Sequence, residues 1–374
     1  MTSDSTGTID TPGPTDTTDT TDVRTFFTGQ EPFAARIAAL EARPRRWLVT
    51  GAAGFIGSHL VQALLGWGQT VVGLDDLSTG YRANVDDVVA RVGPDAAQRF
   101  RFVVGDVTRP DDVAEAMRGV DVVLHHAAFV SVPGSVEDPR ACHRTNVEGF
   151  LNVLEAARAE GVGRLVYAAS SASYGDDDAP EKREETTGSP LSLYAATKSA
   201  NEAYAAVYAA TYGMQAVGLR YFNVFGPRQD PSGAYAAVVP AWIERLRTGR
   251  PCVVHGDGGQ TRDFCHVANV VGANLLAATA PADGGWHRVY NVGTGATTDL
   301  IQLFTFLRDA VAGRPGAAAE ASTAEPTFGP PRAGDVRHSR ANVDRVRREL
   351  AFEPVVDIRT GIENTVAWFL REDA

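Results

Sequence analysis

A tyrosine and a lysine four residues apart, Tyr194 and Lys198, are the residues whose spacing most directly suggests chemistry. The pattern predicts a helix from about Leu191 to Tyr212, on which this spacing places both side chains on one face. An ammonium beside a phenol lowers the phenol's pKa, so the tyrosine could exchange protons near neutral pH. Only two of the 35 Lys and Arg residues are lysines, so a flexible point charge here indicates a role that arginine does not fill.

A pair of serines, Ser170 and Ser171, ends a predicted strand from Arg164 to Ala169. A hydroxyl held opposite the phenol could orient a substrate hydroxyl or pass on its proton. Turn formation is the alternative role for such a pair. Together with the Tyr–Lys pair, the serines predict a site for proton transfer.

The elements that must position these residues begin with a glycine-rich turn. A predicted strand, Trp47 to Thr50, precedes Gly51-Ala-Ala-Gly54-Phe-Ile-Gly57 and a helical run. Glycines at this spacing allow a tight turn and close approach of a pyrophosphate to a helix N-terminus. The next strand ends at Asp75, whose carboxylate can accept ribose hydroxyls and would repel a 2'-phosphate. The sequence therefore predicts dinucleotide binding, with NAD favoured over NADP.

Strands and helices continue to alternate, which predicts an α/β fold with a Rossmann-type doubly wound parallel sheet. His125 and His126, at one strand end, are expected to be packing or loop residues. The later chain has mixed signals: a helix from Val239 to Arg247, a hairpin-like stretch from Val253 to Gly259, and a Pro- and Gly-rich loop from Gly313 to Gly334. These predict a smaller mixed C-terminal substrate-binding domain.

The predicted organisation has four parts. Residues 1–30 form a disordered tail, rich in Thr and Asp, and residues 31–46 contain a lead-in helix. Residues 47–212 form the NAD-binding Rossmann domain, whose sheet is completed by later strands. Residues 213–374 mainly bind substrate and are interleaved with the first domain.

Composition excludes several kinds of partner. The formal net charge is -11, and five of the acidic residues lie within residues 1–22, so nucleic acid is not expected. No apolar run is long enough to span a membrane and the polar start is unlike a signal peptide, so no membrane partner and a cytoplasmic location are expected. The three cysteines make no disulfide framework. Cys252, His255, Cys265 and His266 show no clean ligand spacing, so no metal is expected.

These residues lie in motifs that resemble a known family. The motifs extend from about Trp47 to Phe369 and are TGAAGFIGSHL, GDVTRPDD, AASSASYGD, YAATKSANE, LRYFNVFGPRQDP and TRDFCHV. They are similar to those of extended short-chain dehydrogenase/reductases of the NAD-dependent epimerase/dehydratase type, and most of all to bacterial UDP-N-acetylglucosamine 4-epimerases. The resemblance implies NAD as cofactor, a UDP-sugar as substrate, and a homodimer in which helices around Asn146 and Tyr194 pack across a two-fold axis.

The resemblance also assigns roles to individual residues. It implies a catalytic triad of Ser170, Tyr194 and Lys198. The implied cofactor contacts are Gly51, Gly54, Phe55, Ile56, Gly57, Asp75, Asp106, Val107, Ala127, Asn146, Tyr194, Lys198 and Tyr221. The implied substrate contacts are Val130, Ser131, Ser170, Ser171, Asn223, Ala237, Val238, His255, Arg262, Arg332, Asp335 and Ser339. The small Ser339 stands at a wall position and should admit an acetamide, whereas Val130 stands where lysine or glycine is more usual.

The implied reaction is a reversible epimerisation at C4 of the sugar. Tyr194 takes the proton of the 4-hydroxyl, directly or through Ser170, while hydride passes from C4 to NAD+. The 4-keto sugar then turns over about its diphosphate link and takes the hydride back on its other face. Lys198 is expected to lower the pKa of the phenol and to contact the nicotinamide ribose.

Fold alone does not separate this activity from related ones. A 4,6-dehydratase or decarboxylase typically carries acidic residues shortly after its catalytic serine or threonine, where this chain has Ala172-Ser173. A UDP-glucuronate 4-epimerase would need a cation for the sugar carboxylate, which the sequence does not assign. A non-catalytic NAD-binding regulator is the remaining alternative, and the intact triad argues against it.

Overall fold

The computed structural model describes residues 22–232, 237–281, 284–331 and 336–371. Its α-helices are α1 (Phe33–Ala42), α2 (Phe55–Gly66), α3 (Arg82–Val92), α4 (Pro94–Ala97), α5 (Pro110–Met117), α6 (Val132–Glu137), α7 (Pro139–His143), α8 (Gly149–Glu160), α9 (Leu193–Tyr212), α10 (Val238–Arg247), α11 (Val267–Thr279), α12 (Leu300–Val311), α13 (Asp344–Leu350) and α14 (Ile358–Phe369). Its strands are β1 (Arg46–Thr50), β2 (Thr70–Asp75), β3 (Phe100–Val104), β4 (Val122–His125), β5 (Arg164–Ser170), β6 (Glu181–Lys182), β7 (Gln215–Tyr221), β8 (Val224–Phe225), β9 (Val253–His255), β10 (Thr261–Arg262), β11 (Cys265–His266), β12 (Trp286–Val292), β13 (Thr298–Asp299), β14 (Thr327–Gly329) and β15 (His338–Ala341).

A seven-stranded parallel sheet forms the larger part of the molecule, in the order β12-β7-β5-β4-β1-β2-β3. Its central strands are buried on both faces because helices cover both sides. Trp47 and Val49 pack into the core layer on one side, and Leu48 between them packs into the layer on the other side. The order of strands reverses direction between β1 and β4, where the carboxyl ends open a crevice. The predicted Rossmann-type fold is confirmed.

The smaller part contains short strands from distant stretches of the chain. One sheet has the order β13-β10-β15-β6, and two further pairs join β8 to β11 and β9 to β14. A third core, around Trp242, Phe304 and Ile362, packs α10, α12 and α14 together. The predicted hairpin at Val253–Gly259 is wrong: β9 pairs in parallel with β14, and Gly258, with φ of +79°, turns the chain away.

The predicted disordered tail is wrong for residues 22–30; residues 1–21 lie outside the described part of the chain. A 3-10 helix runs from Val23 to Phe27, capped by the side chain of Asp22. Val23 and Phe27 lie four residues apart and both are buried in the core. Burial of these two apolar side chains stabilises the helix, although the stretch before it is polar in composition. Within the described residues no helix is long and apolar enough to cross a membrane.

Candidate active site

The turn between β1 and α2 forms a cradle of bare backbone. Gly51 has φ of +70°, and a Cβ there would lie 2.7 Å from the backbone nitrogen of Ala127. A Cβ on Gly57 would lie 2.0 Å from the carbonyl oxygen of Gly51. Gly54 precedes α2 and offers no side chain to cap the helix. The first amides of α2 are therefore left for a ligand, as in phosphate-binding turns.

Asp75 lies at the end of β2 beside this cradle. Its two carboxylate oxygens accept the amides of Ala53 and Leu77, at 2.9 and 2.8 Å. Burial raises the pKa of this carboxyl, and the two amide hydrogen bonds oppose that shift. With the neighbouring Asp76 it lines one end of a cavity of about 660 Å³. Two carboxylates at this end disfavour a ligand that carries an additional phosphate.

The catalytic residues predicted from the sequence line the other end of the same cavity, hereafter the NAD cavity. Ser170 ends β5, whereas Tyr194 and Lys198 lie in the first turns of α9. Ser192 caps α9 by accepting the amide of Ala195 at 3.1 Å. The tyrosine amide also donates to Ser135 Oγ at 3.2 Å, so the start of the helix is fixed from two sides. The Ser–Tyr–Lys set is thus brought together by two separate elements.

Burial dominates the electrostatics of this set. It raises the pKa of Tyr194, although a hydrogen bond with Ser170 acts in the opposite direction. It also lowers the pKa of Lys198 to about 8. The lysine Nζ donates to the carbonyl of Ala168 at 2.9 Å and lies 5.8 Å from the centroid of the tyrosine ring. In the protein without ligand the pKa of Tyr194 is therefore raised, and the lysine donates its hydrogen bond to β5; that Lys198 lowers the phenol pKa stays a prediction.

Two strand ends close the inner wall of the NAD cavity. His126 Nε2 lies 2.8 Å from the hydroxyl of Tyr221, and their rings stack at 5.9 Å. Burial lowers the pKa of His126 to about 3 and of His125 well below its usual value, so both imidazoles are neutral. Their expected role in packing matches these contacts. Ala127 lies beside them and leaves space at the wall.

A second and larger cavity, of about 1230 Å³, adjoins the first and is hereafter the substrate cavity. Residues that line both cavities are Val130, Ser131, Val224 and Ala237. A molecule that fills the larger cavity can therefore extend between these residues towards Tyr194. Its walls come from the smaller part of the molecule and include Asn223, Val238, His255 and Arg262.

Polar groups in the substrate cavity are held by backbone contacts. Asn223 donates to the carbonyl of Asp263 at 3.0 Å, and His255 Nδ1 lies 3.1 Å from the carbonyl of Pro330. Arg262 donates to the carbonyl of Thr261 at 2.9 Å. Arg245 and Arg250 also line this cavity. Glu244 lines the cavity too and pairs with Arg250 at 3.5 Å, but the three guanidinium groups outnumber this carboxylate and make the cavity suited to an anionic ligand.

Several predicted site residues do not line either cavity. Asp106 accepts the amide of Thr108, and Ser171 starts a short 3-10 turn. Asn146 is 1% exposed and bonds both backbone groups of Phe129 and the hydroxyl of Thr197. Its role in the structure is therefore to fix the backbone at Phe129. Ser339 pairs in register with Arg262 without reaching the cavity wall itself, and Arg332 and Asp335 lie outside the described residues.

A family model described as "NAD dependent epimerase/dehydratase family" matches residues 47–293. The chain belongs to this family. The match extends from the second residue of β1 to the end of β12. It therefore includes most of the residues that line the two cavities and the whole Ser–Tyr–Lys set. Membership establishes NAD as the cofactor and confirms the resemblance inferred from the motifs.

Individual members of the family match over nearly their full length. A UDP-glucose 4-epimerase of Mycolicibacterium smegmatis is 41% identical over 87% of this chain and 98% of its own length. The structure of a UDP-N-acetylglucosamine 4-epimerase from Methanobrevibacter ruminantium M1, in complex with UDP-N-acetylmuramic acid, superimposes with a TM-score of 0.79 at 31% identity, covering 87% and 98% of the two chains. A UDP-glucose 4-epimerase from Thermus thermophilus, in complex with NAD, gives 0.73 at 36% identity, with the same coverage.

The residues of this structure fit NAD. The glycine cradle excludes any side chain where a pyrophosphate must approach, and Asp75 stands where a ribose is expected. Arg228 also lines the cavity; its side chain is 2% exposed and its Nη1 has no hydrogen-bond partner. Sequence reasoning missed Arg228 because arginines are frequent in this chain. Other NAD-cavity residues that the motifs did not reveal lie in the loop after β2 and in α3: Ser78, Thr79, Gly80, Tyr81 and Asn84.

Proposed function

We propose that the protein catalyses the reversible 4-epimerisation of a UDP-hexose with bound NAD, and that UDP-N-acetylglucosamine and UDP-N-acetylgalactosamine are its preferred pair. The observation that supports this most directly is the position of Ser170, Tyr194 and Lys198 in the NAD cavity next to its junction with the substrate cavity. A sugar that enters through the substrate cavity meets the phenol and the cofactor together. The named relatives are two UDP-glucose 4-epimerases and one UDP-N-acetylglucosamine 4-epimerase.

Ser170, Tyr194 and Lys198 have different roles in proton transfer. Tyr194, as the phenolate, accepts the proton of the sugar 4-hydroxyl, and Ser170, hydrogen-bonded to its oxygen, aligns or relays that proton. Positive charge from Lys198 and from bound NAD+ favours the phenolate against the effect of burial. Lys198, with a pKa of about 8, is largely protonated near neutral pH and can donate to a ligand instead of to the Ala168 carbonyl. NAD+, when bound, supplies an acceptor for the hydrogen of C4 and a positive charge in the cavity that Tyr194 lines. The wide substrate cavity lets the 4-keto sugar turn before the proton is returned.

The acidic residues of the NAD cavity argue against a dehydratase. Among the described lining residues the carboxylates are Asp75, Asp76 and Asp230. Each already accepts hydrogen bonds from nearby loop groups, and none is on the turn after Ser170. That turn carries Ala172 and Ser173 instead. Elimination across C5 and C6 therefore lacks a general acid and base.

The sugar preference rests on small side chains around the proposed sugar pocket. Ala237 lines both cavities, and Ser339 lies beside Arg262 in the parallel pair of β10 and β15. Neither side chain blocks a 2-acetamido group as an aromatic ring would. UDP-glucuronate is the second candidate, because Arg245, Arg250 and Arg262 of the substrate cavity could bind its carboxylate.

We further propose a cytoplasmic homodimer. Helix α9 exposes Tyr204 and Val207, three residues apart on one face, at 40% and 59%. A second copy that packs there would cover an apolar stripe on the catalytic helix. The three cysteines are buried free thiols, a state typical of reducing compartments. A Val207→Asp variant that remained dimeric by light scattering would exclude this face as the interface.

The test of the proposed function is to incubate the purified protein with a panel of UDP-sugars and to identify the products by NMR. We expect interconversion of UDP-N-acetylglucosamine and UDP-N-acetylgalactosamine, with slower interconversion of UDP-glucose and UDP-galactose. Conversion of UDP-glucuronate alone would support the second candidate. A 4-keto-6-deoxy product, or no turnover with bound NAD present, would overturn the proposed reaction.

A further inference from the structure

The short helix Val23–Phe27 with its cap Asp22, here called the N-terminal turn, lies outside the family region at residues 47–293 but is part of the core. Phe27 packs on Phe33 and Trp67, with ring centroids 5.0 and 5.9 Å apart. A Cβ on Gly272 would lie 2.9 Å from the Phe27 ring. The N-terminal turn can therefore pack closely on α11 because Gly272 has no side chain.

Arg24 fixes the same turn to α2. A Cβ on Gly66 would lie 1.8 Å from its guanidinium, so the arginine lies directly against the last turn of that helix. Asp22 holds the guanidinium with an Nη2–Oδ2 distance of 2.6 Å and also accepts the Arg24 amide at 2.9 Å. The turn is thus seated between α2 and α11. The first of these helices begins at the glycine cradle of the NAD cavity.

Phe26 extends from the N-terminal turn to His266, the residue that precedes α11. Its ring meets His266 edge-on at 5.8 Å, and His266 meets Phe225 in the same manner at 5.5 Å. The other side of the histidine is fixed, since its Nε2 lies 3.1 Å from Oδ1 of Asn364. Burial lowers the pKa of His266 to about 4, so the ring packs as a neutral group. The rings of Phe26, His266 and Phe225 therefore form a continuous series of edge-on contacts.

Phe225 begins a turn, Phe225–Arg228, whose last residue forms part of the NAD cavity wall. The ring of His59, on α2, donates to the carbonyl of Pro227 at 2.9 Å. Arg228 donates to Asp87 at 2.7 Å and to Gln62 of α2. The turn is therefore held by α2 at one end and by His266 at the other.

We propose that Phe26 is a positioning residue for NAD: it packs on His266 and so holds the Phe225–Arg228 turn against α2, closing one wall of the NAD cavity. Phe26 contacts no ligand itself. It acts by limiting how far this wall opens, and thereby slows the release of NAD. The proposal needs only that NAD binds, and it is independent of which sugar the protein converts.

The test compares full-length Phe26→Ala and Phe26→Leu with a matched control, Phe328→Ala, at a phenylalanine on β14 that is 60% exposed. The rate of NAD release is measured after dilution of the NAD-loaded protein. An edge-on aromatic contact contributes about 0.5 to 1.5 kcal/mol, so release should be roughly threefold to tenfold faster in Phe26→Ala. Phe26→Leu should lie between this variant and the wild type, and the control should not change.

A further readout separates positioning from general stability. Hydrogen exchange at the amides of Phe225, Gly226 and Arg228 should be faster in Phe26→Ala than in the wild type and in Phe328→Ala. NAD release at the wild-type rate would overturn the proposal even if the melting temperature falls, because that combination indicates a purely structural contact. If Phe26→Ala does not fold, Phe26→Leu decides by the same criterion. An equal acceleration in Phe328→Ala would also overturn it.

Discussion

The NAD cavity and the substrate cavity adjoin each other but are built in different ways. The NAD cavity is formed largely by the carboxyl ends of neighbouring parallel strands and by bare glycine backbone. The substrate cavity is formed by a helix, turns and strands of two or three residues that come from distant stretches of the chain. The first is therefore rigid and specified by short motifs, whereas the second depends on how distant segments meet. We expect substitutions in the first to abolish cofactor binding or chemistry, and substitutions in the second to change which sugar is used.

The largest expected effect lies in the NAD cavity, at the phenol. Tyr194→Phe should lower kcat at least about a thousandfold, because it removes the group that accepts the substrate proton and its alignment with Ser170. NAD content and melting temperature should not change. Tyr212→Phe, at the far end of the same helix, is the matched control, since its ring packs on Arg158 without need of the hydroxyl. Turnover near the wild-type rate in Tyr194→Phe would refute the assignment.

The glycine cradle gives the next largest effect. A Cβ on Gly57 would lie 2.0 Å from the Gly51 carbonyl, so Gly57→Ala must push the turn away from its ligand. Overpacking of this kind costs up to about 3 kcal/mol, which corresponds to about a hundredfold loss of NAD affinity. Calorimetric titration with NAD measures this loss of affinity. In the control Gly163→Ala the nearest atom would be 3.7 Å away, and NAD affinity should be retained. Equal affinities in the two variants would show that the cradle is not the phosphate site.

Lys198 makes the stability of this cavity depend on pH. Burial lowers the pKa of its ammonium from 10.5 to about 8 in the folded protein. Between these values the unfolded chain binds more protons than the folded one, so the free energy of unfolding rises as pH increases. The full rise is about 3 kcal/mol. The Lys198→Met variant should lack this contribution to the pH dependence of the free energy of unfolding.

Urea denaturation of the wild type and Lys198→Met across pH 8 to 10.5 tests this dependence, with the pKa values of Lys198 setting the window. The stability advantage of the variant should be greatest at pH 8 and should shrink as pH rises. Parallel stability curves for the two proteins would show that the ammonium is not destabilised by burial.

The smallest expected effect lies in the substrate cavity. Ser339→Tyr should lower kcat/KM for UDP-N-acetylglucosamine about tenfold relative to UDP-glucose, because a ring beside Arg262 would extend into the substrate cavity, which the serine side chain does not reach, and would compete with the acetamide for space. His338→Tyr places the same ring on the opposite face of β15 and serves as the control. If both substrates lose activity equally in Ser339→Tyr, this strand does not form the wall that selects the sugar.

The difference between the cavities also explains what the sequence can predict. The strand–glycine–helix pattern and the acid after β2 are local signals, so the Rossmann-type sheet and residues such as Gly51, Asp75 and Tyr194 are predictable without the fold. Arg245 and Arg250 are not, because nothing local distinguishes them from other helical or loop arginines. The parallel pairing of β9 with β14, about 70 residues apart, has no local signature, and the glycines after β9 suggest a hairpin instead.

The pKa shifts of the site and the contacts between residues far apart in the chain also cannot be predicted from the sequence. The spacing of Tyr194 and Lys198 is sufficient to place them on one helix face, but it does not reveal that the Ala168 carbonyl accepts a hydrogen bond from the lysine or that burial raises the phenol pKa. The polar composition before Val23 conceals the burial of Val23 and Phe27, because their partners on α2 and α11 are far along the chain.

The central claim is that Tyr194 removes the proton of the sugar 4-hydroxyl, that bound NAD removes the hydrogen of C4, and that this hydrogen returns to the same carbon. Its most direct test is to convert UDP-N-acetylglucosamine carrying deuterium at C4, in ordinary water, and to follow that position by NMR. Retention of deuterium at C4 of the UDP-N-acetylgalactosamine product is predicted, since hydrogen that the cofactor carries as hydride does not exchange with water. Replacement of the deuterium by solvent hydrogen at C4 would contradict this account.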